Sequence, residues 1–310
     1  MIRVLDPGPL TTVQDLGRRG YLRYGIPESG PVDRAAFVLA NRLVGNRDDT
    51  AGLESTLAGP RLEMQADGAL AATGADMSLS VNEREAPRWR TVAVRAGDIV
   101  RLGPARSGVR GYLAFAGGLD LPPVLGSRAT YLRGRLGGYN GRALRGGDEV
   151  RLGAGRPPRR GRVVRSGAVP RYDGEVTARV VLGPQADRFT PQGIATFLEG
   201  TYEMLPQSDR MGARLRGPGI AHARGHDIVS DGIPLGGIQV VGDGQPIVLL
   251  VDRQSTGGYT KIATACSVDV GRIGQLRPGA RLRFHEVTVE TAHAILREAR
   301  AALDRAIQEE

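Results

Sequence analysis

One stretch gathers more chemistry than any other. It is Pro246-Ile-Val-Leu-Leu-Val-Asp252-Arg253-Gln254-Ser255-Thr256-Gly257-Gly258-Tyr259-Thr260-Lys261, an apolar strand that delivers a dense polar loop. Paired glycines let backbone N–H groups approach a ligand closely, and the side chains around them supply donors and acceptors of every kind. Lys261 is the only lysine in a chain with 42 basic residues. A guanidinium keeps its proton and presents a broad planar fork, whereas an amine can act as a compact point charge beside phosphate or carbonyl oxygen. A tight hairpin with polar decoration is the alternative reading. The Gly-Lys-Ser/Thr ending of a Walker loop is missing.

Other clusters carry weaker signals. Ser208-Asp209-Arg210-Met211-Gly212-Ala213-Arg214-Leu215 puts an acid and two arginines near glycine in a loop, a clamp for carboxylate or phosphate or else a surface ion pair. Near the start, Thr11-Thr-Val-Gln14-Asp15-Leu-Gly-Arg18 and Pro27-Glu-Ser-Gly-Pro-Val-Asp33 read as turns with polar decoration, Asp33 being explained by helix capping alone. His222 and His226, with Asp227 adjacent, have helical metal-ligand spacing, but Gly225 and the loop-like context break that helix and no third ligand is evident, so no metal site is assigned. Cys266, the single cysteine, lies in an apolar strand-like run and reads as a small core residue, with no internal disulfide possible.

The elements that must position these residues are mostly strands. Gly 45 and Pro 19 in 310 residues point to many turns. A turn-and-strand pattern recurs at Val94–Leu102, Leu144–Leu152 and Leu276–Phe284, with Val100 and Leu102, Val150 and Leu152, and Leu282 and Phe284 facing inward while arginines face water. Further strands are expected at 91–94, 112–116, 176–182, 238–241, 247–251 and 262–267. A helix is expected from about Asp33 to Val44, a shorter one around 190–198, and a C-terminal one from about Glu290 to Ile307. Strand and helix do not alternate as a doubly wound sheet requires. The chain reads as mainly β: an N-terminal lobe over 1–155 with one helix, a Gly, Pro and Arg-rich linker over 156–174, a second β lobe over 175–287, and a C-terminal helix over 288–310.

Composition narrows the function. The formal charge is +9, yet the arginines are spread among 33 acidic residues and aromatics are only 5%, which argues against nucleic acid. The N-terminus lacks the layout of a signal peptide and the longest apolar run is too short to span a bilayer, so a soluble, cytoplasmic protein without a membrane partner is expected.

Taken together, Thr11–Arg18, Pro27–Asp33, Ala40-Asn-Arg-Leu-Val-Gly-Asn46, Gly126-Ser-Arg-Ala-Thr-Tyr131, Ser208–Gly212 and Asp252–Tyr259 resemble one family, from about Val4 to Val287. It is the family of the 5-oxoprolinase C subunit, also described as allophanate hydrolase subunit 2 and as the biotin-dependent carboxyltransferase domain of urea carboxylase. Small departures are Ser255 for an expected threonine, Thr260 for proline and Pro31-Val32 for Ala-Met. The resemblance implies cyclophilin-like β-barrel lobes and a hetero-oligomer in which the partners are the B-type and A-type proteins of the same enzyme. Such an assembly hydrolyses 5-oxoproline to glutamate with ATP, whose site is placed on this chain or a partner. The alternatives are the carboxyltransferase component of a urea carboxylase/allophanate system and a non-catalytic module that binds a kinase-inhibitor subunit. Biotin would arrive on another chain, since no Ala-Met-Lys-Met site is present.

Opening a lactam or urea requires a more electrophilic carbonyl and a held oxyanion. Under this resemblance Lys261, Asp252, Arg253 and Tyr259 are the expected catalytic residues. Gln14, Asp15, Arg18, Asp209, Arg210, Gln254, Thr256, Gly257 and Gly258 are the expected substrate contacts, and Lys261 with its glycine-flanked neighbours is expected to form an anion-holding pocket at the mouth of a closed barrel. Lys261, Arg253 and Arg210 would hold phosphate or oxyanion, Gly257 and Gly258 would donate N–H groups, and Asp252, Gln254 and Tyr259 would orient the substrate.

Overall fold

A computed structural model describes residues 1–310. The chain forms two compact units: Met1–Arg19 with Ser29–Tyr172 and Ala301–Glu310, and Gly20–Glu28 with Asp173–Arg300. The first is built on two sheets. One has six strands, in the order Glu149–Val150, Ile2–Asp6, Arg61–Met64, Ile99–Ala105, Met77–Val81, Arg84–Ala86; the other has five, in the order Thr11–Gln14, Gly52–Thr56, Arg110–Phe115, Gly68–Gly74, Val92–Val94.

Strand alternation explains how two cores are filled. In Gly68–Gly74 and Arg110–Phe115, Leu70, Ala72, Leu113 and Phe115 enter the core shared with Ile2, Val4, Leu62, Val100 and Leu102 of the other sheet. Their neighbours Ala69, Ala71, Tyr112 and Ala114 face helix α1 (Arg34–Leu43), meeting Phe37, Leu39, Ala40 and Leu43. Small alanines on that face let the helix approach closely. Of the expected inward positions, Val100, Leu102 and Val150 are buried here and Leu282 and Phe284 in the second unit, while Leu152 is only partly buried against the same core as Val150.

Asp33 caps α1: one carboxylate oxygen accepts the Ala36 N–H at 3.1 Å and the other accepts the Tyr172 hydroxyl at 2.6 Å. Asp33→Ala removes both acceptors and is expected to cost about 1–2 kcal/mol. The check is a lower denaturant midpoint at unchanged m value, with Asp33→Asn recovering most of the loss.

In the second unit seven strands close a barrel: Glu175–Leu182, Lys261–Ala265, Gly237–Val240, Pro246–Leu249, Gly212–Arg216, Tyr202–Met204 and Arg281–Glu286, the last returning parallel to the first. Val176, Ala178, Val180, Ile238, Val240, Ile262 and Leu282 are buried. Helix α2 (Pro191–Glu199) begins at the Thr190 cap and stacks Phe197 on Phe284. Helix α3 (Ser267–Gly274) occupies a stretch whose sequence suggests no helix, and Cys266, expected at the end of a strand, sits at its N-terminus. Asp269 of α3 is fully buried and accepts the Arg179 backbone N–H and guanidinium at 2.6–2.9 Å, which ties the short helix to the barrel. Burial pushes the Cys266 thiol above its usual range, in keeping with a packed core residue.

Helix α4 (Val289–Arg305) is the expected C-terminal helix, and a strand, Ile307–Glu309, follows it. That strand pairs antiparallel with Arg162–Val164, inside the stretch read from sequence as a linker. No helix is long and apolar enough to cross a membrane.

Candidate functional site

The polar stretch after Pro246–Leu249 is only half a loop. Leu250 to Ser255 turn, and then Thr256–Tyr259 form a strand paired with Asp227–Gly232, outside the barrel. In this two-stranded ribbon Gly257 lies opposite Asp231. The chain re-enters the barrel at Lys261. Thr260 makes the junction: its N–H donates to the His226 carbonyl at 3.0 Å and its hydroxyl lies 3.1 Å from His222 Nε2. Proline, expected there from the resemblance, could do neither.

Lys261 begins its barrel strand and is only 5% exposed. Its ammonium lies 3.1 Å from Asp231 Oδ2. Gln185 braces both partners, accepting the Lys261 backbone N–H at 2.9 Å and donating to Asp231 at 3.2 Å. The Lys261 ammonium, with the Gly232 N–H, holds the Asp231 carboxyl below the usual carboxylate range.

A second, buried charge pair lies in the same unit. Arg210 grips Asp252 with Nε at 2.8 Å from Oδ2 and Nη2 at 3.3 Å from Oδ1, both residues being buried. This joins the two polar clusters of the sequence, 42 residues apart. Asp209 instead shapes its own turn, accepting the N–H groups of Met211 and Gly212 at 2.7 and 3.1 Å. Arg253 donates through Nε to the Ile233 carbonyl at 3.0 Å and lies 3.9 Å from Glu28. Burial weighs against the Arg253 charge and Glu28 partly offsets it, so its pKa sits below the usual guanidinium range.

Gln254, Thr256 and Tyr259 are exposed. Tyr259 lies nearly parallel to the His226 ring at 6.1 Å, and His222 packs on Phe189 at 4.7 Å. Burial, and then His226, lower the His222 pKa, so the imidazole is neutral at pH 7.

Gln14, Asp15 and Arg18 lie in the first unit, all buried. Asp15 accepts from the Ser127 hydroxyl and the Gly17 and Arg128 N–H groups; Arg18 donates to the Ala129 carbonyl; Gln14 Nε2 donates to the Thr130 carbonyl at 3.3 Å. Ser127, Arg128, Ala129 and Thr130 of Gly126–Tyr131 supply most of these partners, with Thr12 and Gly17 of the same N-terminal motif. This geometry fastens one motif to another within the unit.

Sequence reasoning passed over Asp231, Gln185 and Gln239. Gln239 is 2% exposed, and its Nε2 has no hydrogen-bond partner. The available signal was a lone amide between apolar residues in Gly237-Ile-Gln-Val240.

Gly257 lies in a paired strand opposite Asp231, and the Lys261 ammonium faces a carboxylate. The arrangement offers one buried ammonium, a buried guanidinium and an amide donor without a partner, groups suited to small oxygen-bearing ligands.

Residues 24–286 match the family model described as "Carboxyltransferase domain, subdomain A and B". The C subunit of 5-oxoprolinase from Escherichia coli (strain K12) is 35% identical over 293 residues, covering 94% of this chain and 93% of that protein. The urea amidolyase of Lachancea kluyveri is 33% identical, covering 97% of this chain but 18% of that protein. The chain therefore spans less than a fifth of that relative. The crystal structure of the K. lactis urea amidolyase superposes with a TM-score of 0.92 at 32% identity, over all of this chain and 20% of that one.

Proposed function

The chain belongs to the carboxyltransferase-domain family, and we propose that within it the chain is the C-type subunit of an ATP-dependent 5-oxoprolinase, acting with A and B subunits to hydrolyse 5-oxoproline to glutamate. One observation carries this reading. The correspondence with the C subunit of the E. coli 5-oxoprolinase runs nearly end to end in both proteins, whereas the urea amidolyase is matched over a small part of its length.

The chemistry of the second unit supports it. 5-Oxoproline carries a carboxylate and a lactam carbonyl. Water adds to the carbonyl carbon, the C–N bond breaks, and the ring nitrogen takes a proton to become the amine of glutamate. Lys261 and Arg253 attract the carboxylate or the developing oxyanion, and amide side chains orient the lactam. ATP supplies the driving force from a site on a partner chain. The Arg210–Asp252 pair holds the turn that carries Arg253, so those two residues position the site.

The test mixes this chain with its candidate A and B subunits, supplies 5-oxoproline and ATP, follows glutamate release, and repeats the assay with each protein omitted. Release that requires all three is expected. Release undiminished without this chain, or carboxylation of urea by carboxybiotin with no 5-oxoproline consumed, overturns the reading.

A further inference from the structure

Charge and exposure are distributed unequally between Lys261 and Asp231. The ammonium belongs to the barrel wall, its side chain 6% exposed, whereas the Asp231 side chain is 56% exposed on the ribbon. A carboxylate that leaves this contact is received by water. A buried ammonium that loses its counter-ion is not, and it demands an anion in every arrangement of the site. Exchange of one carboxylate for another is therefore the low-cost way to open the contact.

A second, independent feature lies alongside. Gln239 pairs with Lys261 across adjacent barrel strands where the register shifts, and both lie under the same ribbon, Lys261 against Asp231 and Gln239 against Gly257, which is opposite Asp231. Its Nε2 is buried without a partner, an uncommon condition for an amide donor. Above it the ribbon carries glycine: a Cβ at Gly257 would come within 2.9 Å of Gln239 Nε2 and 2.7 Å of Ile233 Cδ1. Only glycine lets the ribbon lie this close over the donor, and a side chain there would press on the amide and on Ile233.

We propose that Asp231 is a built-in competitor for Lys261, displaced by the carboxylate of a small cyclic amide substrate whose amide oxygen then accepts from Gln239. The 5-oxoproline identity of that substrate rests on the function proposed above; the exchange at Lys261 does not. Asp231 thus sets a threshold for ligands. A neutral amide cannot replace it, and a carboxylate lacking the amide oxygen leaves Gln239 unsatisfied.

Because Lys261 is the sole lysine, protein labelled with 13C-lysine gives a single side-chain signal that reports on this ammonium. The full chain is titrated with 5-oxoproline, with cyclopentanecarboxylate, which lacks the lactam group, and with sodium chloride as an ionic-strength control. The signal is expected to move saturably with both carboxylates and more tightly with 5-oxoproline. Asp231→Asn is expected to tighten both about tenfold, as when a competing state populated about ten to one is removed. Gln239→Leu is expected to weaken 5-oxoproline about tenfold and leave cyclopentanecarboxylate unchanged, the loss typical of one buried hydrogen bond. Gly257→Ala gives the same selective loss should the leucine variant fail to fold. A signal that chloride moves as far, equal or weaker binding in Asp231→Asn, or parallel losses for the two carboxylates in Gln239→Leu each overturn the proposal. Intact exchange at Lys261 with no turnover in the three-protein assembly would count against the 5-oxoproline reading alone.

Discussion

Lys261→Met is expected to lower 5-oxoproline turnover by the reconstituted assembly by at least about 10²-fold, the loss typical of removing one preorganised stabilising group. Methionine keeps the length and apolar stem of the lysine, and Asp231, once released, is exposed enough to be hydrated. The barrel should remain folded, giving an unchanged circular dichroism spectrum and one cooperative unfolding transition. Lys261→Arg should not rescue turnover, because the guanidinium fork is wider than the ammonium and cannot take its buried place against Asp231 in the same way. Steady-state kinetics on the two variants and the parent chain decide the matter. Parent-like turnover in Lys261→Met removes the ammonium from the chemistry.

Asp252→Ala has the largest expected effect on stability. Arg210 would be left buried with its bidentate carboxylate gone, and breaking a buried pair from one side typically costs about 3–5 kcal/mol. Thermal unfolding should fall by roughly 6–20 °C, given about 2–4 °C per kcal/mol in a domain of this size. Arg210→Met combined with Asp252→Leu should recover most of that loss, since two apolar side chains bury without desolvating charge. The double variant also separates positioning from chemistry. A stable double variant that turns over substrate would confine the pair to structure, and a stable inactive one would tie it to the placement of Arg253.

Residue alternation made the strands legible: Val100 and Leu102, or Leu282 and Phe284, face inward because polar residues separate them. The helices capped by Asp33 and Thr190 were legible for the same local reason, a side-chain acceptor at the start of an apolar stripe. Helix α3 was not. Ser267-Val-Asp-Val-Gly-Arg-Ile-Gly274 holds two glycines and two β-branched valines, all poor helix formers, and its stability comes from Asp269 reaching Arg179 across 90 residues. The site divides in the same manner. The isolation of Lys261 could be read directly, but its partner Asp231 could not, because a register between ribbon strands brings them together. Gln14, Asp15 and Arg18 read from their own residues as turns with polar decoration, and only the family resemblance marked them as substrate contacts. Their partners are chiefly backbone groups of Ser127–Thr130, and backbone groups leave no mark in a sequence.

The strand Ile307–Glu309 lends the fold an order of events. A ribosome releases Arg162–Val164 long before the segment that will pair with it, and all of Asp173–Arg300 emerges between the two. At roughly 5–20 residues per second this wait is on the order of ten seconds. Throughout it, the patch that Leu303, Ala306 and Ile307 will cover, around Leu43 and Val164, is open to solvent or to a chaperone. The nascent first unit is therefore finished last although most of it is made first.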